Sequence, residues 1–398
     1  MKTNIQMSTV LAQAGTRRDE RTGSLAVPIY QTASFSHAAL GQSTGFDYSR
    51  TSNPTRLALE ETLAAVEGGV RGFAFASGLA AIDCALRLFQ AGDRLVITED
   101  LYGGTFRLFE KVFKPLGLEA EYVDTSDIRA VKDAIGDRRV RGLFIESPTN
   151  PLLKIADLRA LASLAQRRGI LTIVDNTFLT ACYQRPLEVG ADIVAYSATK
   201  YLAGHNDVVA GALVAASPEL AERIAFFQNA IGSVLGPQDS WLTIRGMKTL
   251  PLRMQRQQEN AIRIAEWLSL HPHVRRVYYP GLAAHPGREI LAREGSGFGG
   301  MISFEVDDPA RVPGILSGVR VFLFAESLGG VESLITYPLV QTHADMDHAT
   351  CERLGINGRL LRLSVGIEDV TDLMRDLEAA LTTEPSTGTE KGDPHEGL

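Results

Sequence analysis

Residues 196–207 read YSATKYLAGHND. They follow ADIVA, an apolar run that has the pattern of a buried strand, so Lys200 stands just past a strand end beside Ser197 and Thr199. An amine there is either a solvated loop residue or a nucleophile held in a pocket. Other strand ends bear on the choice. ILTIVDN places Asp175 after a mostly apolar run, and a carboxylate leaving a buried strand needs a partner. RGFAFAS ends in Ser77-Gly78-Leu79, where a helix begins. The free N–H groups and partial positive charge of a helix start suit a phosphate, and glycine lets the backbone come close. DRLVITED runs into Leu101-Tyr102-Gly103-Gly104, an aromatic on a glycine-hinged loop, and VRGLFIESP leads to Glu146 and Asn150. Taken singly these are ordinary: Ser77 is a common kind of N-cap, and Asp175 with Lys200 could be a buried ion pair in a binding protein. One cofactor, pyridoxal phosphate (PLP), needs a lysine for its Schiff base, an acid for its ring nitrogen, an anion site and a flat face to stack on.

The elements that must position these residues follow a β/α rhythm from about residue 51. Strand candidates are RGFAFAS, DRLVITED, LEAEYVD, VRGLFIESP, ILTIVDN, ADIVAYS and VAGALVAA, with helical segments between most of them. GLAAIDCALRLFQAGD carries Leu79, Ile82, Leu86 and Phe89 at helical spacing, and DLRALASLAQRRG starts on Asp157 as N-cap and stops at Gly169. Such alternation implies an α/β fold with a mostly parallel sheet covered on both faces, and ligands of such sheets bind beyond the carboxyl ends of the strands. The first fifty residues are polar and glycine-interrupted and read as an extended arm. The PLP-binding domain is expected over 51–246. A helical stretch from about Ser240 to Trp267 then opens an α+β domain over 247–381, and the apolar-poor tail, 382–398, is expected to be disordered.

The 398 residues carry a net charge of −7 with 45% hydrophobic and 22% charged residues, which points to a soluble globular chain and away from nucleic-acid or membrane partners. Cys84, Cys182 and Cys351 are scattered and odd in number, so a reduced, cytoplasmic protein is expected. No run is apolar and long enough for a membrane span. GSGFGG at 295–300 precedes a strand, whereas a dinucleotide loop follows one and opens a helix. His271 and His273 flank Pro272 without a ligand cluster nearby, so no metal is expected, and His205 reads as structural.

The motifs YSRTSNPTR (48–56), FASGLAAI (75–82), EDLYGGTFRLF (99–109), ESPTNP (146–151), VDNTF (174–178), AESLGGVESLITYP (325–338) and LRLSVGIED (361–369) resemble, together and in this order, the Cys/Met-metabolism family of PLP enzymes. The resemblance spans about residues 8–381. It implies the aminotransferase-like fold type I, with a seven-stranded, mostly parallel sheet flanked by helices and a smaller α+β C-terminal domain. It also implies roles. Lys200 would hold PLP and shuttle protons, Asp175 would bind the ring nitrogen, Tyr102 would stack on the ring, and Asn150 would sit near its 3-oxygen. Ser77, Gly78, Leu79, Ser197 and Thr199 would hold the phosphate. Arg362 would clamp the substrate carboxylate, with Ser327 and Leu328 in the facing loop. Tyr48 and Arg50 would reach a neighbouring subunit's phosphate, making the arm a crossing segment of a homotetramer built from catalytic dimers.

Family members differ in reaction. Methionine γ-lyases usually carry a cysteine where this chain has Gly104, which counts against that activity. AESLGG with Glu326 is common in cystathionine γ-synthases and γ-lyases, and a carboxylate there could bind the amino group of an incoming cysteine. The resemblance thus implies γ-replacement on an O-acylhomoserine by cysteine, with sulfide as a second donor, in methionine biosynthesis. The alternative is a β-lyase or γ-lyase that cleaves cystathionine.

Overall fold

The computed structural model describes residues 5–16, 19–136, 139–343 and 348–383. Most of the tail expected to be disordered therefore lies outside the described residues. All seven strand candidates join one sheet: β1 (Arg71–Phe75), β2 (Arg94–Thr98), β3 (Glu119–Val123), β4 (Val140–Glu146), β5 (Leu171–Asp175), β6 (Ile193–Ser197) and β7 (Gly211–Ala215). Their order is β1-β7-β6-β5-β4-β2-β3. Only β7 runs antiparallel to its neighbours, β1 and β6. The start of β7 thus lies at the same end as the carboxyl ends of the other strands. The central strands are apolar because both faces are covered: Leu143, Phe144, Ile145, Ile173, Val174, Ile193 and Val194 are fully buried.

Local chemistry sets the ends of the covering helices. The helix Gly78–Leu86 starts where Ser77 Oγ accepts the Ala80 N–H at 3.1 Å. The helix Leu158–Gln166 starts on Asp157, which accepts the Ala160 N–H at 2.9 Å, and the chain turns away at Gly169, whose φ is +64°.

The helical stretch expected from about Ser240 to Trp267 is built of two helices, Pro237–Met247 and Leu250–Leu268. Pro251 in the first turn of the second helix has no N–H to continue the first and disfavours helical backbone before it. The second helix leads to a five-stranded sheet in the order β10-β11-β12-β9-β8. Its strands are β8 (Val274–Tyr278), β9 (Met301–Val306), β10 (Leu323–Phe324), β11 (Leu334–Thr336) and β12 (Leu360–Ser364). GSGFGG leads straight into β9. The arm is only partly extended. A short helix, Met7–Ala12, docks through fully buried Leu11, and Trp241 Nε1 donates to Val27 O at 3.1 Å. Beyond it, residues 29–50 are largely exposed. Among the described residues no helix is long and apolar enough to cross a membrane.

Candidate active site

A cavity of about 310 Å³ opens at the carboxyl ends of β1, β2, β4, β5 and β6 and is closed by residues of the second sheet. Lys200, Tyr102, Asp175, Ser77, Gly78, Leu79, Asn150, Ser197, Thr199, Arg362, Glu326, Ser327 and Leu328 all line it. Tyr48 and Arg50 do not. Arg50 instead bonds Asn229 O at 2.7 Å and lies 5.5 Å from the centre of the Tyr48 ring.

Lys200 sits at a pinch in the chain. Thr199 N–H donates to Ala210 O at 3.1 Å, and Ala210 N–H donates back to Thr199 Oγ1 at 2.9 Å. The segment between them leaves and returns at the same place because β7 is antiparallel to β6. Lys200 Nζ donates to Ser327 Oγ at 2.7 Å. Ser327 has φ +92°, a region that non-glycine residues rarely occupy. Burial and the nearby Arg362 charge bring the amine's pKa down to about 8.

Asp175 ends β5 and pairs in register with Glu146 at the end of β4, so two carboxyl groups stand side by side. Thr177 donates to Asp175 Oδ1 through its N–H at 3.0 Å and its hydroxyl at 2.5 Å. Burial raises the pKa of both acids, and Asp175 raises that of Glu146 further.

At the β1 end, backbones meet with no side chain between them. A Cβ on Gly78 would stand 2.9 Å from Ser197 Cβ, and one on Gly211 only 2.0 Å from the Ser77 carbonyl oxygen. The result is a pocket edged by the first N–H groups of the helix Gly78–Leu86 and the hydroxyls of Ser77, Ser197 and Thr199, a donor set suited to an anion. Across the cavity, Arg362 on β12 is buried. Its Nη1 donates to Asn150 Oδ1 at 2.8 Å, and its Nη2 donates to Ser327 O at 3.1 Å and Thr336 Oγ1 at 3.3 Å. All three acceptors are neutral, and Nε has no partner among the described residues. The bond to Oδ1 also fixes the Asn150 amide, leaving Nδ2 as its free donor.

Tyr102 is 42% exposed and its ring stands over Gly104, where a Cβ would lie 2.4 Å from Tyr102 Cε1. Glu326 is exposed at the cavity mouth and makes no hydrogen bond or ion pair among the described residues. Its charge nevertheless bears on Lys200, Tyr102 and Arg362.

Several lining residues were not picked out as site residues in the sequence: Glu146, Thr177, Val209 and Thr342. Behind them lies His343, fully buried, whose Nε2–H donates to Asn150 O at 3.1 Å while Nδ1 accepts from Thr342 Oγ1 at 2.8 Å. Burial lowers its pKa to about 4, so the ring is neutral. Among the described residues no group of three or more His, Cys, Asp or Glu could hold a metal.

Known proteins share this arrangement of the chain. Residues 8–382 match the model of the "Cys/Met metabolism PLP-dependent enzyme" family. Cystathionine gamma-lyase of Bacillus subtilis is 50% identical over 377 residues, which is 95% of this chain and 99% of that protein. Cystathionine beta-lyase of Lactococcus lactis is 50% identical over 375 residues, covering 94% and 98%. The crystal structure of cystathionine gamma synthase from Xanthomonas oryzae, with aminoacrylate and cysteine, superposes with a TM-score of 0.93 at 44% identity over 95% of this chain and 98% of that one. Three reactions are represented at similar identity, but one family model spans every residue that lines the cavity, and on that ground the chain belongs to the Cys/Met metabolism PLP-dependent enzymes.

Proposed function

We propose that this PLP-dependent trans-sulfuration enzyme is a cystathionine γ-synthase, which replaces the acyloxy group of an O-acylhomoserine by the sulfur of cysteine and releases the carboxylic acid. The observation that carries this reading is Glu326: a carboxylate at the cavity mouth, near Lys200, Tyr102 and Arg362, with no partner among the described residues. It suits the ammonium group of a second amino acid.

The residues present fit PLP. Lys200 offers an amine of lowered pKa, Asp175 a carboxylate braced by Thr177, and the closely packed Gly78 and Gly211 backbones a cradle without side chains. In this reading Ser77, Gly78, Leu79, Ser197 and Thr199 would hold the phosphate, Asp175 would keep the ring nitrogen protonated, Tyr102 would stack on the ring and Asn150 would sit near its 3-oxygen. When bound, PLP withdraws electrons from the substrate and so acidifies its α-carbon.

The other steps belong to the chain. Arg362 binds the α-carboxylate, and its unpartnered Nε is a donor in waiting. Nζ of Lys200 takes the α-proton and returns it, steered by Ser327 Oγ. Tyr102 keeps its phenolic proton, because partial burial and Glu326 both raise its pKa, and it serves as acid near the reacting carbons. Glu326 holds the incoming cysteine with its sulfur toward the γ-carbon. Tyr48 and Arg50, outside their own cavity, serve that of a second copy.

Cleavage of cystathionine is the competing reading, favoured by the lyase names of relatives at 50% identity. Mass spectrometry of products decides. One tube holds O-acetylhomoserine, O-succinylhomoserine and cysteine; another holds cystathionine alone. Cystathionine forming in the first, with little breakdown in the second, supports the synthase. Pyruvate and homocysteine from the second alone mean a β-lyase, and 2-oxobutyrate and cysteine mean a γ-lyase.

A further inference from the structure

Glu146 is the ionisable lining residue that the mechanism above leaves without a task. It closes β4, is 6% exposed, and turns its carboxyl group into the cavity. Its Oε2 accepts the Tyr102 backbone N–H at 3.0 Å. The Asn150 backbone N–H faces the same group. One carboxyl group therefore ties together the two loops that carry the stacking ring and the amide donor.

Its surroundings constrain its charge. Neighbouring strands lie about 4.8 Å apart, so in-register Glu146 and Asp175 cannot both be anions at low cost. The other groups bearing on it are Asp100 beyond β2, Tyr102 on its loop and Arg362 on β12. Of these, Arg362 is the cation, and its donors are turned to Asn150, Ser327 and Thr336. Each acid receives two donors, but one of those on Asp175 is the Thr177 hydroxyl at 2.5 Å, and Glu146 alone bears the like charges of both Asp175 and Asp100, so the single negative charge of the pair settles on Asp175.

We propose that Glu146 is a positioning residue that works as an uncharged acid. It fixes the Tyr102 and Asn150 backbones to the end of β4 and leaves Asp175 as the anion that faces the cofactor's ring nitrogen. This rests on the roles given above to Asp175, Tyr102 and Asn150. It does not depend on which trans-sulfuration reaction the enzyme performs.

The test compares purified holoenzymes of wild type, Glu146→Gln and Glu146→Ala. The amide of glutamine is neutral and still accepts the Tyr102 N–H, whereas alanine takes that acceptor away. Glu146→Gln is expected to keep the cofactor's visible absorbance maximum and its rate of cofactor loss on dialysis. Glu146→Ala is expected to lose cofactor about 10- to 100-fold faster, from the Tyr102 and Asn150 N–H donors left without this acceptor. Infrared spectra of wild type minus Glu146→Gln are expected to contain the C=O stretch of a protonated carboxyl group at neutral pH. If Glu146→Ala fails to fold, the infrared difference and Glu146→Gln still decide. The proposal is overturned if Glu146→Gln shifts the absorbance and sheds cofactor like alanine, if alanine behaves as wild type, or if the difference band is that of an ionised carboxylate. A failed product assay with these three results intact would sink the synthase reading and leave Glu146 in place.

Discussion

Lys200 is held by opposing demands. It must be an amine with a free lone pair, yet it hydrogen-bonds Ser327 and stands in a cavity with an arginine. Burial and Arg362 both penalise its charged form, and the pKa falls to about 8. The neutral amine is the form that reacts with an aldehyde, and its fraction rises about tenfold per pH unit below the pKa before levelling off. Reloading of PLP into cofactor-free enzyme is therefore expected to accelerate with pH and reach a plateau above about 8. In Arg362→Gln the plateau moves to higher pH, because one of the two causes of the shift is gone. Stopped-flow absorbance measures both, and a rate independent of pH in wild type would contradict the assignment of Lys200.

Strand ends deliver the site, and their spacing leaves little slack where glycines let backbones touch. At Gly211 the absent Cβ would lie 2.0 Å from a carbonyl oxygen of the Ser77 turn. Gly211→Ala must push β7 or that turn aside, at a cost of about 1–3 kcal/mol. Calorimetry is expected to record a lower Tm, and dialysis a faster loss of cofactor. An unchanged Tm would mean that the cradle is softer than its packing implies. The same elements mark what a sequence can convey. Seven apolar runs punctuated by Gly, Asp and Ser gave the strands of the large sheet, and reading the last residue of each gave Asp175, Lys200 and the Ser77 turn. The antiparallel β7 between β1 and β6 was not legible, because pairing direction depends on how the chain returns, not on the composition of the strand. Nor was His343, which reaches Asn150 from 193 residues away through a ring–backbone bond that no local pattern encodes. Glu146 was visible at its strand end, but nothing in ESPTNP states that its carboxyl group receives the Tyr102 N–H. The break before the helix Leu250–Leu268 has its local sign in Pro251.

At the scale of the molecule, Tyr48 and Arg50 stand outside their own cavity on a segment with Tyr30 and Leu40 exposed. Our reading gives them to a second copy, and complementation can test it. Mix Lys200→Ala with Arg50→Ala subunits, each expected to be nearly inactive alone, and let them re-associate. If the arm crosses, each hybrid dimer has one intact site, and random pairing restores about one quarter of wild-type activity. If the arm serves its own chain, no mixture regains activity.

The cavity also has an order of assembly. Lys200, Asp175 and the Ser77 turn come from the first 200 residues of the chain, whereas Ser327 and Arg362, which hold the amine and lower its pKa, come near the end. A nascent polypeptide that has not yet extruded β12 offers a cradle for phosphate but an amine of ordinary basicity and no carboxylate clamp. On our reading of Lys200, cofactor capture is thus expected to be slow until translation is complete: ribosome-bound chains halted before residue 320 are expected to take up lysine-linked PLP more slowly than finished molecules at neutral pH.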